Sequence, residues 1–330
     1  MTHMASLAAR LLGRDLTILG LRDWRQRNPF EKLAAGIPRR RGSETCLLIC
    51  PTPGALWALT GVDGWRRNFG TVAAWVIDSF WIDRIPWLVR RSGPIDTFFV
   101  TNMEEIEPWE AATRRPCHWL PWGTDALGLG SAASDRPVDV LRVGRQPPAW
   151  DDDGETGEAC RSAGITFEGR PPAGGDPAQN MRMLTGRLAQ AKFTLAFSNR
   201  VNPRAYTHPT REYVTARWVD GLASGATIAG VHPDTETVRN LLWPEGLLDL
   251  DPSDRGGGVA RIAEAVRRWN PGVARWNNLL ALERLDWRWR FERIATTLGG
   301  SYPALDSELG RLREAIAERR ANLVRAGSTC

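Results

Sequence analysis

The chain has 330 residues, 42% of them hydrophobic, with 43 Lys and Arg against 38 Asp and Glu, a net charge of +5. That length holds two buried cores, and the composition excludes a disordered, fibrous or membrane-embedded chain. The mild positive balance suits anionic ligands or an anionic membrane surface, and it lacks the charge of a dedicated nucleic-acid binder.

Five scattered cysteines form no C-x-x-C pair, which argues against a disulfide framework or zinc site and for a reducing, cytoplasmic compartment. The first residues, "MTHMASLAARLLGRDLTILGL", are cut by Arg10, Arg14 and Asp15 and lack a signal-peptide core. "VAAWVI", ahead of Asp78, is too short to span a bilayer. Contact with the inner membrane face is a peripheral one at most, and the Arg39–Arg41 run reads as a solvated loop or a headgroup contact.

In chain order, strands are expected at 15–21, 46–50, 71–80, 96–102 and 117–122. Helices are expected at 28–37, with Asn28 and Pro29 as N-cap and first position, and at 104–115. Continuous apolar strands separated by helices imply a parallel sheet covered on both faces. Asp78, at a strand end, and His118 are candidates for holding or deprotonating an acceptor hydroxyl; a strand-end Asp equally caps a helix.

Residues 126–137, rich in Gly, Ala and Ser, read as a linker. It separates a first domain, 1–125, from a second, 138–275, which is followed by closing helices over 276–330. The second domain repeats the pattern, with strands at 138–144, 165–169, 193–199 and 226–231, then the short apolar "GLLDL". Helices are expected in "NMRMLTGRLAQA", in "VARIAEAVRRW", over 277–299 and over 305–326. Leu305, Leu309, Leu312, Ile316 and Leu323 make one apolar stripe suited to packing back on the body. The expected fold is α/β: two doubly wound, Rossmann-like domains facing a cleft, with C-terminal helices. Sixteen tryptophans, Trp65, Trp75, Trp81, Trp87, Trp119 and Trp122 among them, suit core packing or stacking on a sugar or lipid.

The stretch "REYVTARWVDGLASGATIAGV", 211–231, concentrates the chemistry. Thr215 suits an N-cap and Gly225 a helix stop before a buried strand. A helix N-terminus with Arg211 and Arg217 beside it attracts a diphosphate. Glu212 and Asp220, with seven residues between them, cannot hold an anion but accept hydroxyls. Diphosphate plus hydroxyls describes a nucleotide sugar; an ordinary i,i+3 surface pair, Arg217 with Asp220, is the other reading. His208 reaches the phosphates or is structural. "DDD" at 151–153 reads as a solvated loop rather than a metal site.

The spacing "E-x7-D-x-L-A-x-G", Glu212 to Gly225, resembles the E-x7-E motif of bacterial GT-B-fold glycosyltransferases. "LRVGRQ" (141–146) resembles the strand–Gly–Arg opening of that family's donor domain, and "WLPWGTDAL" (119–127) the segment closing its acceptor domain. The resemblance implies a metal-independent, retaining hexosyltransferase using a UDP- or GDP-linked sugar and a glycan, lipid or protein acceptor. It places Asp220 on the ribose hydroxyls, Glu212 on the donor sugar and Arg145 on the diphosphate. Two positions depart from the family: Asp220 is shorter than Glu, and "QPPAWDDD" supplies no Lys after Arg145. The alternatives are a nucleotide-sugar epimerase, a phosphorylase, or a non-catalytic basic module binding nucleic acid or membrane. A phosphorylase needs a cofactor lysine, and only Lys32 and Lys192 exist.

Overall fold

The computed structural model describes residues 1–19, 42–61, 68–171, 176–204 and 207–327. The helix expected at 28–37, the Arg39–Arg41 run, Lys32 and Trp65 lie outside them. The chain forms two compact units: residues 1, 5–121 and 291–302 make the first, and 2–4, 122–290 and 303–330 the second.

The chain starts with a helix, α1 (Thr2–Leu11), in which Met4, Leu7, Ala8 and Leu11 are buried at helical spacing. Gly13, at φ +58°, ends that helix, and residues 14–19 are irregular rather than the expected strand. Leu16, Ile18 and Leu19 are 41%, 64% and 36% exposed, so this apolar run pairs with no sheet among the described residues.

The first unit is built on β1 (Glu44–Cys50), β2 (Phe69–Val76), β3 (Thr97–Val100) and β4 (Cys117–Trp119), all parallel in the order β1-β2-β3-β4. Helices α2 (Trp87–Ser92) and α3 (Ile106–Thr113) connect them. Trp109 from α3 is fully buried, 5.3 Å from Phe98, and donates Nε1 to the carbonyl of Ser79 at 2.8 Å. Trp75 likewise donates to Leu120 O at 3.2 Å. These indoles bury large apolar area while satisfying their one donor, the packing use of tryptophan.

The second unit opens with α4 (Ala126–Leu129), inside the Gly/Ala/Ser-rich segment. Arg136 in the same segment is buried and donates to Leu188 O, Ala191 O and Ser224 O. The sheet comprises β5 (Val138–Arg142), β6 (Phe167–Glu168), β7 (Ala191–Phe197), β8 (Thr227–Val231) and β9 (Leu247–Asp249), all parallel in the order β6-β5-β7-β8-β9. Its helices are α5 (Asp153–Ser162), α6 (Pro177–Leu188), α7 (Ala216–Ala223), α8 (Glu236–Leu241) and α9 (Arg255–Arg268). Along β7, Phe193, Leu195 and Phe197 pack with Trp150, Cys160 of α5 and Ile262 of α9. Ala196 turns the other way, into a cluster with Trp218 and Leu222 of α7. Period-two alternation with helices on both faces makes this a doubly wound sheet.

The closing segment corrects one expectation. Residues 277–299 do not form one helix: α10 (Pro271–Arg284) stops and α11 (Trp287–Leu298) begins afresh, before α12 (Pro303–Gly327). The break is a tertiary bond set. Thr124 N donates to Leu285 O and Trp287 N to Thr124 O, both at 2.9 Å, and Leu127 N donates to the Asp286 carboxylate at 2.8 Å. Those partners replace the intrahelical bonds that local periodicity favours. In α12, Leu305, Leu309 and Leu312 are buried, Ile316 and Leu323 half-buried.

Candidate functional site

Strand order reverses between β5 and β7, and ligands of such sheets sit outside the strands' carboxyl ends at that point. After β5 the chain turns through Gly144, whose φ of +71° favours glycine, into Arg145 and Gln146. A Cβ on Gly144 would lie 3.0 Å from Cδ of Arg217. After β7 come Ser198, Asn199 and Arg200, and a loop that returns at Glu212 and enters α7 at Ala216.

Arg217 joins the two strand ends. It donates Nη1 to Arg145 O at 2.9 Å and Nη2 to Phe197 O at 3.2 Å. Thr215 stands at the N-cap, but its hydroxyl makes no capping bond; it lies 3.5 Å from Arg217 Nε. The loops are laced further: Asn202 donates to Gln146 O at 2.6 Å, Arg145 Nη1 to Asn202 O at 3.3 Å, and Arg170 Nη2 to Gly144 O at 3.2 Å.

Glu212 is held from several directions. Ser198 donates its hydroxyl to Oε1. Asp234 N donates to Oε2 at 3.4 Å, and Arg200 Nη1 lies 3.5 Å from the same oxygen. The Glu212 side chain is 11% exposed and that of Arg200 59%. His208 Nδ1 accepts the backbone N–H groups of Thr210 at 3.2 Å and Arg211 at 3.1 Å, so the proton of the neutral ring resides on Nε2. Asn199 Nδ2 donates to Arg211 O at 2.8 Å. The amide oxygens of the buried Gln146 and Asn199 have no hydrogen-bond partner among the described residues, and buried acceptors of this kind call for a bound water or ligand.

Of the residues singled out in the sequence, Arg145, His208, Arg211, Glu212, Thr215 and Arg217 therefore share one set of loops. Asp220 lies one turn further along α7, buried, with the Thr124 hydroxyl bonded to its carboxyl. Burial raises its pKa to about 6. Asp78 and His118 belong to the first unit. Asp78 follows β2, half-buried, and burial lifts its pKa to about 6. His118 sits in β4, two strands away, with its ring 5.6 Å from that of Phe99. Burial, then the neighbouring Arg293, lowers its pKa.

The acids at 151–153 are not merely solvated. Asp151 and Asp153 each pair with the buried Arg142 at 2.5 Å, and Asp152 caps α5 by accepting Glu155 N at 2.8 Å. Among the described residues no group of three or more His, Cys, Asp or Glu is placed to hold a metal ion. Sequence reasoning missed Ser198, Asn199, Arg200 and Gln146. The signal was available: polar residues directly beyond apolar strands, at the ends where such sheets bind ligands.

No family model matches the sequence, and no curated protein matches it. Among solved structures the chain is similar to HepE of Anabaena in complex with UDP, at 12% identity and a TM-score of 0.45 over 77% of this chain and 78% of that one. It is similar to the pneumococcal O-GlcNAc transferase GtfA in complex with UDP and GlcNAc, at 11% identity and a TM-score of 0.47. That match covers 76% of this chain and 56% of GtfA, so the chain spans little more than half of it. It is also similar to the lipopolysaccharide outer core galactosyltransferase WaaB in its apo form, at 12% identity, a TM-score of 0.40, and 82% and 77% coverage. The α/β fold itself stands on the strand order of the two parallel sheets.

Proposed function

We propose that this protein is a glycosyltransferase that binds a nucleotide sugar at the carboxyl ends of β5 and β7 and passes the sugar to a glycan, lipid or protein acceptor. The observation that carries the reading is Glu212, a carboxylate held by Ser198 and facing Arg200, in the loops beyond the strand ends that Arg217 ties together at the strand-order reversal. Guanidinium groups and the N-terminus of α7 place positive charge where a departing nucleoside diphosphate gains negative charge, which stabilises the transition state without metal. The Glu212 carboxylate accepts sugar hydroxyls, and Asp220 is assigned the ribose. Asp78 or His118 serves the acceptor, the raised pKa of Asp78 suiting a general base near neutral pH. Retention of configuration, a cytoplasmic location and peripheral contact with the inner membrane face complete the proposal.

A thermal-shift panel of nucleoside diphosphates and nucleotide sugars, run with chelator, tests it. One nucleotide should raise Tm by several degrees in the absence of divalent metal. A flat response across UDP, GDP, ADP and their sugars would sink the reading.

A further inference from the structure

We infer that Arg200 is the cation that exchanges its partner when a diphosphate binds, leaving Glu212 for the diphosphate. The inference rests on the donor-site reading above and identifies one group that supplies charge there.

Four arginines at this site show two kinds of contact. Arg145, Arg170 and Arg217 donate to backbone carbonyls of Asn202, Gly144, Arg145 and Phe197. Moving one of them leaves a loop or strand-end carbonyl without that donor, which costs free energy. Arg200 instead faces a side-chain carboxylate, Oε2 of Glu212, at 3.5 Å. If Arg200 leaves, Glu212 keeps the Ser198 hydroxyl and the Asp234 N–H. The exposures point the same way. The carboxylate is 11% exposed and fixed, while the guanidinium is 59% exposed on a long side chain. An ion pair with one partner in water is weak, and a diphosphate offers a guanidinium more charge and a two-pronged geometry.

Arg200 is three residues beyond the last residue of β7, so its short reach starts at the reversal point itself. The exchange has a consequence for Glu212. Its Oε2 gives up a cation and becomes available to hydroxyls, so the same movement that binds the anion prepares the acid for the sugar. Arg200 is thereby a substrate-binding residue and Ser198 a positioning residue.

The test uses the full chain, with inorganic pyrophosphate as a probe of charge without a base, UDP as the nucleotide and uridine as its uncharged counterpart, all followed by calorimetry. Arg200→Gln should weaken pyrophosphate and UDP about tenfold, leave uridine unchanged and lower the salt dependence of binding. Arg200→Lys should recover part of the loss, and the unliganded Tm of both variants should match wild type. Equal pyrophosphate and UDP affinity in wild type and Arg200→Gln overturns the role of Arg200 and leaves the donor-site reading standing. Failure of wild-type protein to bind pyrophosphate and every one of UDP, GDP and ADP overturns both.

Discussion

Arg217 donates Nη1 to the carbonyl of Arg145 at 2.9 Å, a contact between residues 72 positions apart in the chain. With its second bond to Phe197 O, it ties the ends of β5 and β7 together at the candidate site. Arg217→Ala should therefore lower stability by about 1–3 kcal/mol, the cost of leaving such carbonyls unpaired, as well as remove nucleotide binding. Arg217→Lys should not restore it, because an ammonium lacks the fork that reaches both carbonyls. Urea unfolding of both variants decides this; an unchanged midpoint would show that the link holds nothing.

Glu212→Gln keeps the shape of the side chain and removes its charge. Slow hydrolysis of the nucleotide sugar giving the largest thermal shift should fall at least a hundredfold, with Tm within a degree or two of wild type. Ser198→Ala, which frees Oε1, should cost about tenfold by the same assay, in line with one charge-assisted hydrogen bond. Wild-type turnover in Glu212→Gln would make the acid a structural residue.

Asp220 gives a pH signature. Burial raises its folded pKa to about 6, above the ordinary value of 3.8, so the folded protein binds this proton more tightly than the unfolded chain does. The associated stability is present below pH 4 and is lost as pH rises to about 6. Asp220→Asn should consequently stabilise the protein at pH 7.5, by roughly 1–3 kcal/mol, and give no gain at pH 4. If Asp220 also binds ribose, the same variant weakens uridine more than pyrophosphate. Unfolding curves at the two pH values check the first part; an equal effect at both would remove Asp220 as its source.

Arg288 in α11 predicts the opposite slope. It gathers Asp125 at 2.8 Å, Asp286 at 3.1 Å and Glu308 at 2.8 Å, all buried. Burial pushes all three carboxyls up and leaves that of Asp286 raised, but the hydrogen bonds and charge of Arg288 hold Asp125 and Glu308 below their usual range, so the stabilisation from these two exists at neutral pH and fades as pH falls through the carboxylate range. Arg288→Met should destabilise by about 3–5 kcal/mol at pH 7, because three acids lose their buried cation. The deficit should shrink near pH 4. A constant deficit would mean that lost packing, not lost charge, is responsible.

Most strands are legible because a parallel strand covered by helices is a short, largely apolar run, and "CLLIC", "TFFV" and "FTLAF" each fill one. The local pattern misleads at three places. "DLTILGL" has strand composition, yet its described part, residues 15–19, joins no sheet. The helical pattern over 277–299 is interrupted at Asp286 because Thr124 and the distant Leu127, 159 residues before Asp286, supply bonds there. Met4, Leu7, Ala8 and Leu11 were a helical stripe that the basic interruptions at Arg10 and Arg14 obscured.

The sequence by itself determined the two-sheet α/β grammar and the identity of the Glu212–Arg217 stretch, because apolar periodicity and acid spacing are local properties of the chain. Only the tertiary structure decided what each charged group touches. Arg217 spends two donors on strand ends, Asp220 is buried beside Thr124, and Arg200 rather than a lysine stands on Glu212. A guanidinium binds whichever carbonyl or carboxylate the fold brings within 3 to 4 Å. Strand order sets that distance, and one-dimensional spacing does not encode it.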